Sequence, residues 1–319
     1  MHEFALIQKY FAGFPGDDSL VEGIGDDAAV MRPPKDHLLV QSSDTLVSGV
    51  HFPEDAPAGD IAFKALMVNL SDIAAMGAKP LWFTLALTLP EVNEAWLRSF
   101  SEVLRDLAQQ KGVVLVGGDT TSGSELALTI TITGAVKEGE QVMRSGASVG
   151  DLVFVTGIIG DGALGLALWQ GRIKSVVDAE PCLERFYRPI ARTELGQSLG
   201  PLVSAMIDCS DGLFADLGHI LERSTCGADI TLSSIPVSES LESIASDDQS
   251  RASMLNGGDD YELIFCAPAS AKDEILSLAN IHDCPVTQIG EITNSSGLRV
   301  INDEGQELNV FESGYRHFG

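Results

Sequence analysis

The stretch GIGDDAAV, residues 23–30, places two aspartates, Asp26 and Asp27, side by side between glycines and an apolar segment. Two neighbouring carboxylates repel each other, so this arrangement beside a buried element needs a compensating charge. Aspartate also occurs with Gly, Ser, Asn or Thr beside an apolar element in five further segments: QSSDTL, VNLSDIAAMG, VGGDTTSG, MIDCSDG and LNGGDDYEL.

Any one of these segments is ordinary turn chemistry, since aspartate caps helices and turns, and Asp211 alone is explained as a helix cap. Six of them, each expected at the end of an element, are harder to explain in this way, because ligands of α/β folds bind at element ends. If the segments converge, a hard divalent cation must neutralise them. Magnesium prefers such oxygen ligands, which include the hydroxyls of Ser42, Ser43 and Thr120, and it usually binds together with substrate phosphates.

The composition indicates a folded, strongly acidic protein. The chain has 319 residues, of which 45% are hydrophobic and 21% charged, and this length favours two domains. The net charge of −26, from 46 acidic and 20 basic residues, opposes binding to nucleic acids and to anionic membranes. A phosphorylated substrate would therefore have to arrive with cations.

The cysteines and the first residues bear on the compartment. Five cysteines, an odd number without a CxxC pair, favour free thiols in a reducing cytosol. MHEFALIQKYF lacks the pattern of a signal peptide, and no apolar run reaches the length of a membrane span. These features predict a soluble cytoplasmic protein. It has neither the P-loop motif GxxxxGK[ST] nor the protein-kinase motif set.

In the first half, periodicity predicts helices over 2–11, 57–80 and 91–112 and strands over 37–46, 113–119 and 125–136. Asp60 is the expected N-cap of the second helix, Gly77 its stop, and Gly112 closes the third. The polar segment RSGASVGD, residues 144–151, is interpreted as a domain boundary. The predicted domains are therefore residues 1–148 and 149–319.

In the second half, we predict a strand over 151–157 and a strand, turn and helix over 202–224. A strand over 259–268 and a hairpin over 297–308, with Glu304-Gly305 in the turn, complete the pattern. Residues 245–251 are expected to form an exposed loop. TGIIGDGALGLAL follows a strand and enters a helix, and we interpret it as a tight packing turn. The mixture of elements indicates an α/β or α+β class.

Seven motifs, in order, together resemble the thiamine-monophosphate kinase family of the PurM-like superfamily, which includes aminoimidazole ribonucleotide synthetase. They are GIGDDAAV, SSDTLVSGVHF, KALMVNLSDIAAMGAKP, VGGDTT, RSGASVGD, IDCSDGLFADLGHI and GGDDYEL. The resemblance covers nearly the whole chain. It implies an α/β plus α+β class: a two-domain PurM-like fold with an N-terminal α/β domain containing a mixed sheet, a C-terminal α+β domain, and dimerisation through the N-terminal sheets.

The resemblance also implies an activity: transfer of the γ-phosphoryl group of ATP to thiamine monophosphate, giving thiamine diphosphate and ADP. It implies several Mg²⁺ ions, with ligands Asp27, Ser42, Ser43, Asp44, Asp72, Asp119, Asp208 and Asp211. The implied ATP contacts are Gly118, Asp119, Arg144 and Ser210, and the implied substrate contacts are His51, Asp259 and Tyr315. Ser43 stands where the family often has threonine, and Asp259 where it commonly has glutamate.

Because the acceptor phosphate is already anionic near neutral pH, we nominate no general base and expect direct in-line transfer. One alternative is another PurM-like ATP-dependent synthetase, of the purine-pathway or selenophosphate type. The selenophosphate type would need a reactive cysteine near the N-terminus, and the first 150 residues contain none. The other alternative is a non-catalytic divalent-cation-binding protein, although EF-hand spacing is absent.

Overall fold

A computed structural model describes residues 2–310 and Gly314. The described chain divides into two compact units. The N-terminal unit comprises Met1–Ile73 and Ala78–Gly139, and the C-terminal unit comprises Ala74–Gly77 and Glu140–Gly319. Each unit has its own main sheet.

The helices are α1 (Glu3–Tyr10), α2 (Ala58–Ala75), α3 (Glu94–Lys111), α4 (Asp161–Trp169), α5 (Ala179–Tyr187), α6 (Thr193–Leu199), α7 (Leu213–Ser224), α8 (Glu239–Ile244), α9 (Asp248–Leu255) and α10 (Lys272–Ile281). The strands are β1 (Leu20–Glu22), β2 (Val30–Met31), β3 (His37–Val47), β4 (Lys79–Leu89), β5 (Val114–Ser122), β6 (Ala127–Lys137), β7 (Leu152–Thr156), β8 (Ala205–Asp208), β9 (Gly227–Thr231), β10 (Leu263–Ala267), β11 (Val286–Thr293), β12 (Gly297–Ile301) and β13 (Glu307–Leu308). Among the described residues, none of these helices combines the length and apolarity of a membrane-spanning segment.

The N-terminal unit is built on a mixed four-stranded sheet in the order β3-β6-β4-β5, in which only β4 and β5 run parallel. The alternation predicted for β6 is confirmed: Leu128, Ile130 and Ile132 are buried, and the residues between them are partly exposed. On the buried face, the Cα of Gly134 packs so closely against Ile73 of α2 that an added Cβ would lie 2.9 Å from its Cγ2. The other face remains partly exposed.

Two helix boundaries of this unit follow from local chemistry. At α3, the side chain of Asn93 accepts the N–H groups of Ala95 and Trp96, and Gly112 ends the helix in the left-handed region at φ 62°. The predicted end at Gly112 is therefore confirmed. The prediction that Asp60 caps α2 is wrong, because the helix begins at Ala58 and Asp60 lies inside its first turn. There its charge complements the helix dipole instead.

The C-terminal unit contains a seven-stranded sheet in the order β13-β12-β9-β11-β7-β10-β8, in which only β9 and β12 pair parallel. Both faces of its centre are buried, because Val153 and Val155 belong to one apolar cluster and Phe154 to another. Phe154 stacks on Phe265 of the neighbouring strand with ring centroids 5.2 Å apart. The predicted hairpin is confirmed by the antiparallel pairing of β12 with β13.

One predicted loop is wrong. Residues 245–251 contain the start of α9, whose N-terminus is closed by a reciprocal capping box between Asp247 and Ser250. The polarity of this segment reflects its capping residues and not the absence of secondary structure.

Candidate functional site

The middle of β3 and the last two turns of α2 bring together four polar side chains of the N-terminal unit. The hydroxyl of Ser42 donates to Oδ2 of Asp72 at 2.5 Å, and Oδ1 of Asn69 accepts the main-chain N–H of Asp44 at 3.3 Å. Burial, followed by the charge of Asp72, raises the pKa of Asp44 to about 7. These oxygens form an acidic cluster, defined by Ser42, Asp44, Asn69 and Asp72, in which one carboxylate makes ionisation of the other unfavourable.

Ser43 does not join this cluster through its side chain. Side chains alternate along a strand, so Ser42 and Asp44 share one face of β3 and Ser43 lies on the other. There its hydroxyl contacts Oγ1 of Thr131 at 2.9 Å and donates to the carbonyl of Ile130 at 3.3 Å. The structure therefore brings Ser42, but not the hydroxyl of Ser43, to the acids.

The expectation that all six acidic segments end an element is wrong for three of them. Ser42–Asp44 lie in the middle of β3, Asp72 lies inside α2, and Gly118-Asp119 lie within β5. In a strand or helix the spacing of side chains is fixed, so these acids are held by regular structure and not by a loop.

A second acidic site in this unit is a cavity of about 860 Å³. It brings the GDD segment against the edge strand β5, so that Asp26 and Asp27 line the same cavity as Gly118 and Asp119. Oδ1 of Asp26 accepts the N–H of Asp27 at 2.7 Å. The size of this cavity lies in the range of small-molecule sites, and one wall is formed by the apolar side chains of Phe4 and Ile7 on α1 and of Phe11 directly after it.

Gly118 has a steric reason to be glycine. A Cβ at this position would lie 1.9 Å from the carbonyl oxygen of Leu85 on β4, a distance at which something must move. At the neighbouring Gly117, an added Cβ would meet no atom within 4 Å. The main chain of Gly118 therefore approaches β4 more closely than any other residue type permits, next to Asp119 at the cavity wall.

His51 follows β3 in the turn over residues 48–52. Its Nδ1 accepts the main-chain N–H of Val47 at 3.0 Å, which orients the ring. With Nδ1 occupied as an acceptor, a neutral ring carries its proton on Nε2. Local structure thus fixes both the orientation and the tautomer of this histidine.

In the C-terminal unit, three turns meet at one end of the neighbouring strands β7, β10 and β8. Asp208 is the last residue of β8, the turn after it holds Ser210 and Asp211, and the turn before β10 holds Asp259. The carbonyl of Ser210 accepts the N–H of Asp259 at 2.9 Å, so these predicted residues lie in adjacent turns. Asp259 adopts a left-handed conformation at φ 65°, which is uncommon for a residue other than glycine.

The side chains that hold these turns were not singled out from the sequence. Oδ2 of Asp216 accepts three consecutive N–H groups, and Oδ1 of Asn256 accepts the N–H groups of Phe214 and Ala215. The alternative explanation of Asp211 as a helix cap is therefore wrong, because Asp216 and Asn256 accept the N–H groups at this helix N-terminus. The sequence did carry a signal for the role of Asp216, because it is an acid in the first turn of a helix whose N-cap position is a glycine.

Two buried acids anchor the turn before β10. Asp260 accepts the N–H groups of Gly160 and Gly162 at 2.8 and 3.0 Å, and so closes the N-terminus of α4. Glu262 accepts two hydrogen bonds from Arg192, at 2.7 and 2.6 Å, and is also paired with Arg185. The predicted packing role of TGIIGDGALGLAL is confirmed, since a Cβ on Gly162 would lie 2.1 Å from the carbonyl of Asp259.

Two predicted site residues remain to be placed, Arg144 and Tyr315. Arg144 is exposed, and its carbonyl accepts a hydrogen bond from the hydroxyl of Ser224 at 3.3 Å. Tyr315 lies outside the described residues. Its predicted role therefore stays a prediction.

The donor set fits a hard divalent cation. Within residues 2–310 and Gly314, no three His, Cys, Asp or Glu side chains are grouped so as to hold a metal ion by themselves. Magnesium does not require such a group, because one or two carboxylates usually hold it together with water and substrate phosphates. Asp44 and Asp72 form such a pair of carboxylates. The raised pKa of Asp44 indicates that a cation bound between them would relieve their repulsion.

Comparison with known proteins gives the same architecture over both units. The AIR synthase related protein N-terminal domain matches residues 25–136, and the corresponding C-terminal domain matches residues 148–303. Thiamine-monophosphate kinase of Escherichia coli (strain K12) is 45% identical over 99% of this chain and 98% of its own length.

Two solved structures extend this comparison. The crystal structure of thiamine-monophosphate kinase from Stenotrophomonas maltophilia K279a is 43% identical, covers 97% of this chain and 98% of its own, and has a TM-score of 0.87. The structure of AaThiL complexed with AMPPCP and TMP is 28% identical, covers 92% of each chain, and has a TM-score of 0.78.

The fold and the two matched domains define an AIR synthase related protein, and the predicted PurM-like fold is confirmed. Within this class the chain belongs to the thiamine-monophosphate kinase family, and it is an enzyme.

Proposed function

We propose that this chain transfers the γ-phosphoryl group of ATP to the phosphate of thiamine monophosphate, giving thiamine diphosphate and ADP. The proposal is supported by the 45% identity, over 99% of the chain, to the Escherichia coli enzyme of that name. It is also supported by the likeness to AaThiL, which was solved with AMPPCP and TMP. The same family supports ATP as the co-substrate.

The observation that carries the proposal is the acidic cluster of the N-terminal unit. Ser42, Asp44 and Asp72 supply only oxygen ligands, and the hydrogen bond of 2.5 Å between Ser42 and Asp72 keeps them together. A soft metal would require His or Cys ligands, so the chemistry of these donors favours Mg²⁺. This is the ion that accompanies ATP in phosphoryl transfer.

Each unit contributes proposed ligands. In the N-terminal unit, Asp27, Ser42, Ser43, Asp44, Asp72 and Asp119 are the proposed metal ligands, with Gly118 and Asp119 against the nucleotide. In the C-terminal unit, the proposed metal ligands are Asp208 and Asp211, and the proposed ATP contacts are Arg144 and Ser210. For Ser43, the position of its hydroxyl favours a main-chain contribution over a side-chain one.

The proposed substrate contacts are His51, Asp259 and Tyr315. The Nε2–H of His51 is suited to donate to a phosphate oxygen, since its Nδ1 is occupied by Val47. Asp259 is held at a defined position by its left-handed main chain, and a carboxylate there suits the cationic thiamine moiety. The aromatic ring of Tyr315 is suited to cover that moiety.

Phosphoryl transfer needs positioning and charge compensation more than covalent help. Two unit charges 4 Å apart repel by about 4 kcal/mol at an effective dielectric constant of 20, which is the main obstacle when two phosphates meet. Bound magnesium would offset this repulsion and the charge that develops during transfer. The protein holds donor and acceptor in line, and no side chain has to remove a proton from the anionic acceptor.

We further propose that the protein is a cytoplasmic homodimer. The partly exposed sheet face carries Leu39, which is 52% exposed, beside a ladder of hydroxyl side chains on β3 and β6. A second copy of this face is a suitable cover for it. The five cysteines are free thiols, which suits a reducing compartment.

The proposal is tested by incubating the purified chain with ATP, Mg²⁺ and thiamine monophosphate and separating the thiamine species by chromatography. We expect thiamine diphosphate and ADP in equal amounts, and no product when unphosphorylated thiamine replaces the monophosphate. Folded protein that forms no thiamine diphosphate would overturn the proposal. A phosphorylated Asp or His during turnover would contradict direct transfer.

A further inference from the structure

The turn between β8 and α7 is held by hydrogen bonds that end on two side chains. Oδ2 of Asp216 accepts the N–H groups of Ser210, Asp211 and Gly212 at 3.0, 3.0 and 3.1 Å. Oδ1 of Asn256 accepts the next pair, from Phe214 and Ala215, both at 3.1 Å. These five N–H groups are therefore committed to side chains and not available to a phosphate.

This arrangement replaces the usual helix cap. The N-cap position of α7 is Gly212, which has no side chain, and a Cβ there would lie 2.6 Å from the main chain of Asn256. Asp216 instead reaches back from within the helix. Because three consecutive N–H groups converge on one atom, the main chain of residues 210–212 curves around Oδ2.

The free-energy cost of burying the Asp216 carboxylate indicates that this side chain does more than cap a helix. Asp216 is only 2% exposed. Burying a carboxylate costs free energy even when hydrogen bonds compensate part of it. A serine or threonine at the N-cap would satisfy a helix without burying a carboxylate. A buried acid that holds three N–H groups defines the main chain of the turn much more tightly.

We propose that Asp216 is a positioning residue for the phosphoryl transfer, which holds Ser210 and Asp211 in the conformation that receives the metal-bound nucleotide. The inference rests on the proposed function of these two residues. Asp216 itself contacts neither substrate. Its main effect is expected on the dependence of the rate on Mg²⁺ and ATP. The effect on thiamine monophosphate should be much smaller, because its proposed contact Asp259 meets this turn through one hydrogen bond, to the carbonyl of Ser210, and lies in a turn anchored separately by Asp260 and Glu262.

The first test needs no activity and uses amide hydrogen exchange of the full chain. In the wild type without ligands, we expect the amides of residues 210–212 to exchange at least tenfold more slowly than in an unstructured peptide. Asp216→Asn should accelerate exchange at 210–212 but not at 214–215, and Asn256→Ala should do the opposite. Addition of Mg²⁺ and AMPPCP should leave the wild-type protection at 210–212 nearly unchanged, because the turn is already formed.

The second test is kinetic. Asp216→Asn should raise the half-saturating Mg²⁺ concentration and the KM for ATP about tenfold, while the KM for thiamine monophosphate changes less than twofold. Asp247→Asn is the matched control, since Asp247 is also a carboxylate that accepts an N–H group at a helix N-terminus, from Ser250 at 2.7 Å. It should leave all three values unchanged.

The outcomes separate the two proposals. A wild type that forms no thiamine diphosphate overturns the proposed function, and the positioning role falls with it. An active wild type whose Asp216→Asn variant keeps normal Mg²⁺ and ATP dependence overturns the positioning role alone. So does a variant whose kinetic constants change only in proportion to lost folded protein. If Asp216→Asn does not fold, the wild-type exchange decides: protection at 210–212 that appears only with ligand contradicts the proposal.

Discussion

The hydroxyl of Ser42 donates a hydrogen bond to Oδ2 of Asp72, 30 residues further along the chain, at 2.5 Å. This hydrogen bond joins the middle of the edge strand β3 to the C-terminal end of α2. It lies beside Asp44, whose pKa is raised to about 7. An oxygen-rich contact of this kind, on regular secondary structure, provides a rigid place for a hard cation.

Asp72→Asn should lower kcat/KM on the order of 100-fold, because the amide cannot supply the negative charge that balances Mg²⁺ and the phosphates. The fold should be retained, since the change removes a charge that opposes ionisation of Asp44. Steady-state kinetics and thermal unfolding check both statements. Asp106→Asn, on the exposed side of α3, is the control and should be neutral. Near-normal activity of Asp72→Asn would place the metal elsewhere.

Gly118→Ala and Gly117→Ala form a matched pair on β5. The first adds a Cβ 1.9 Å from the carbonyl of Leu85, and the second adds one with no atom within 4 Å. We expect Gly118→Ala to cost about 1–3 kcal/mol of stability and to reduce ATP-dependent activity more than tenfold, because the cavity wall beside Asp119 must shift. Gly117→Ala should be close to the wild type. Equal behaviour of the two variants in urea unfolding and in the kinase assay would contradict this explanation.

The pH dependence of stability should carry a contribution from Asp260. Burial raises the pKa of Asp260 to about 7, although the N–H groups of Gly160 and Gly162 and the charge of Arg185 oppose the shift. The folded chain therefore keeps a proton that the unfolded chain loses near pH 4. The resulting stabilisation is fully present below pH 4, declines as the pH rises and is lost above pH 7.

This contribution is measured by urea unfolding of the wild type and Asp260→Asn at pH 5 and pH 8 without divalent cations. From pH 5 to pH 8, the wild type should lose about 2 kcal/mol relative to the variant, which lacks the titrating group. Parallel stability curves would show that Asp260 is ionised throughout this range. Asp247→Asn serves as the control, because the pKa of Asp247 is lowered and it stays ionised at both pH values.

Thr131→Lys should convert the proposed dimer into a monomer. Thr131 lies on β6, on the partly exposed face of the N-terminal sheet, where its Oγ1 contacts the hydroxyl of Ser43 at 2.9 Å. A lysine on a face covered by a second copy would bury an unpaired charge. Light scattering checks the mass, with Thr231→Lys on the exposed end of β9 as the control. A Thr131→Lys protein that remains dimeric would place the interface elsewhere.

The sequence predicted most elements because their signals are local. The periodicity of α3, the alternation along β6 and the turn between β12 and β13 each depend on neighbouring residues, and each prediction is confirmed. The start of α2 was placed wrongly because Asp60 is chemically suited both to an N-cap and to a first turn. The start of α9 was missed because a capping box is as polar as a loop.

The roles of the residues in the candidate site could be predicted only in part from the sequence, for a different reason. Motif order marks which residues belong to the family, but it does not separate a ligand from a residue that holds a turn. Asp259 and Asp260 are adjacent in GGDDYEL, yet Asp260 is buried against α4 while Asp259 is partly exposed. Asp216 holds residues 210–212 from within the next helix, so a local signal for its role was available and was not used. Asn256 holds residues 214–215 from about 40 residues further along the chain, and such a tertiary contact is not encoded by any local pattern.

The central claim is that the acids of the N-terminal unit hold the metal of a phosphoryl transfer. The most direct measurement is anomalous diffraction from crystals grown with Mn²⁺, AMPPCP and thiamine monophosphate. The account predicts manganese peaks within about 2.5 Å of carboxylate oxygens of Asp44 and Asp72, with further manganese at Asp27 or Asp119. Manganese and nucleotide bound together at a place that none of these four carboxylates reaches would contradict it.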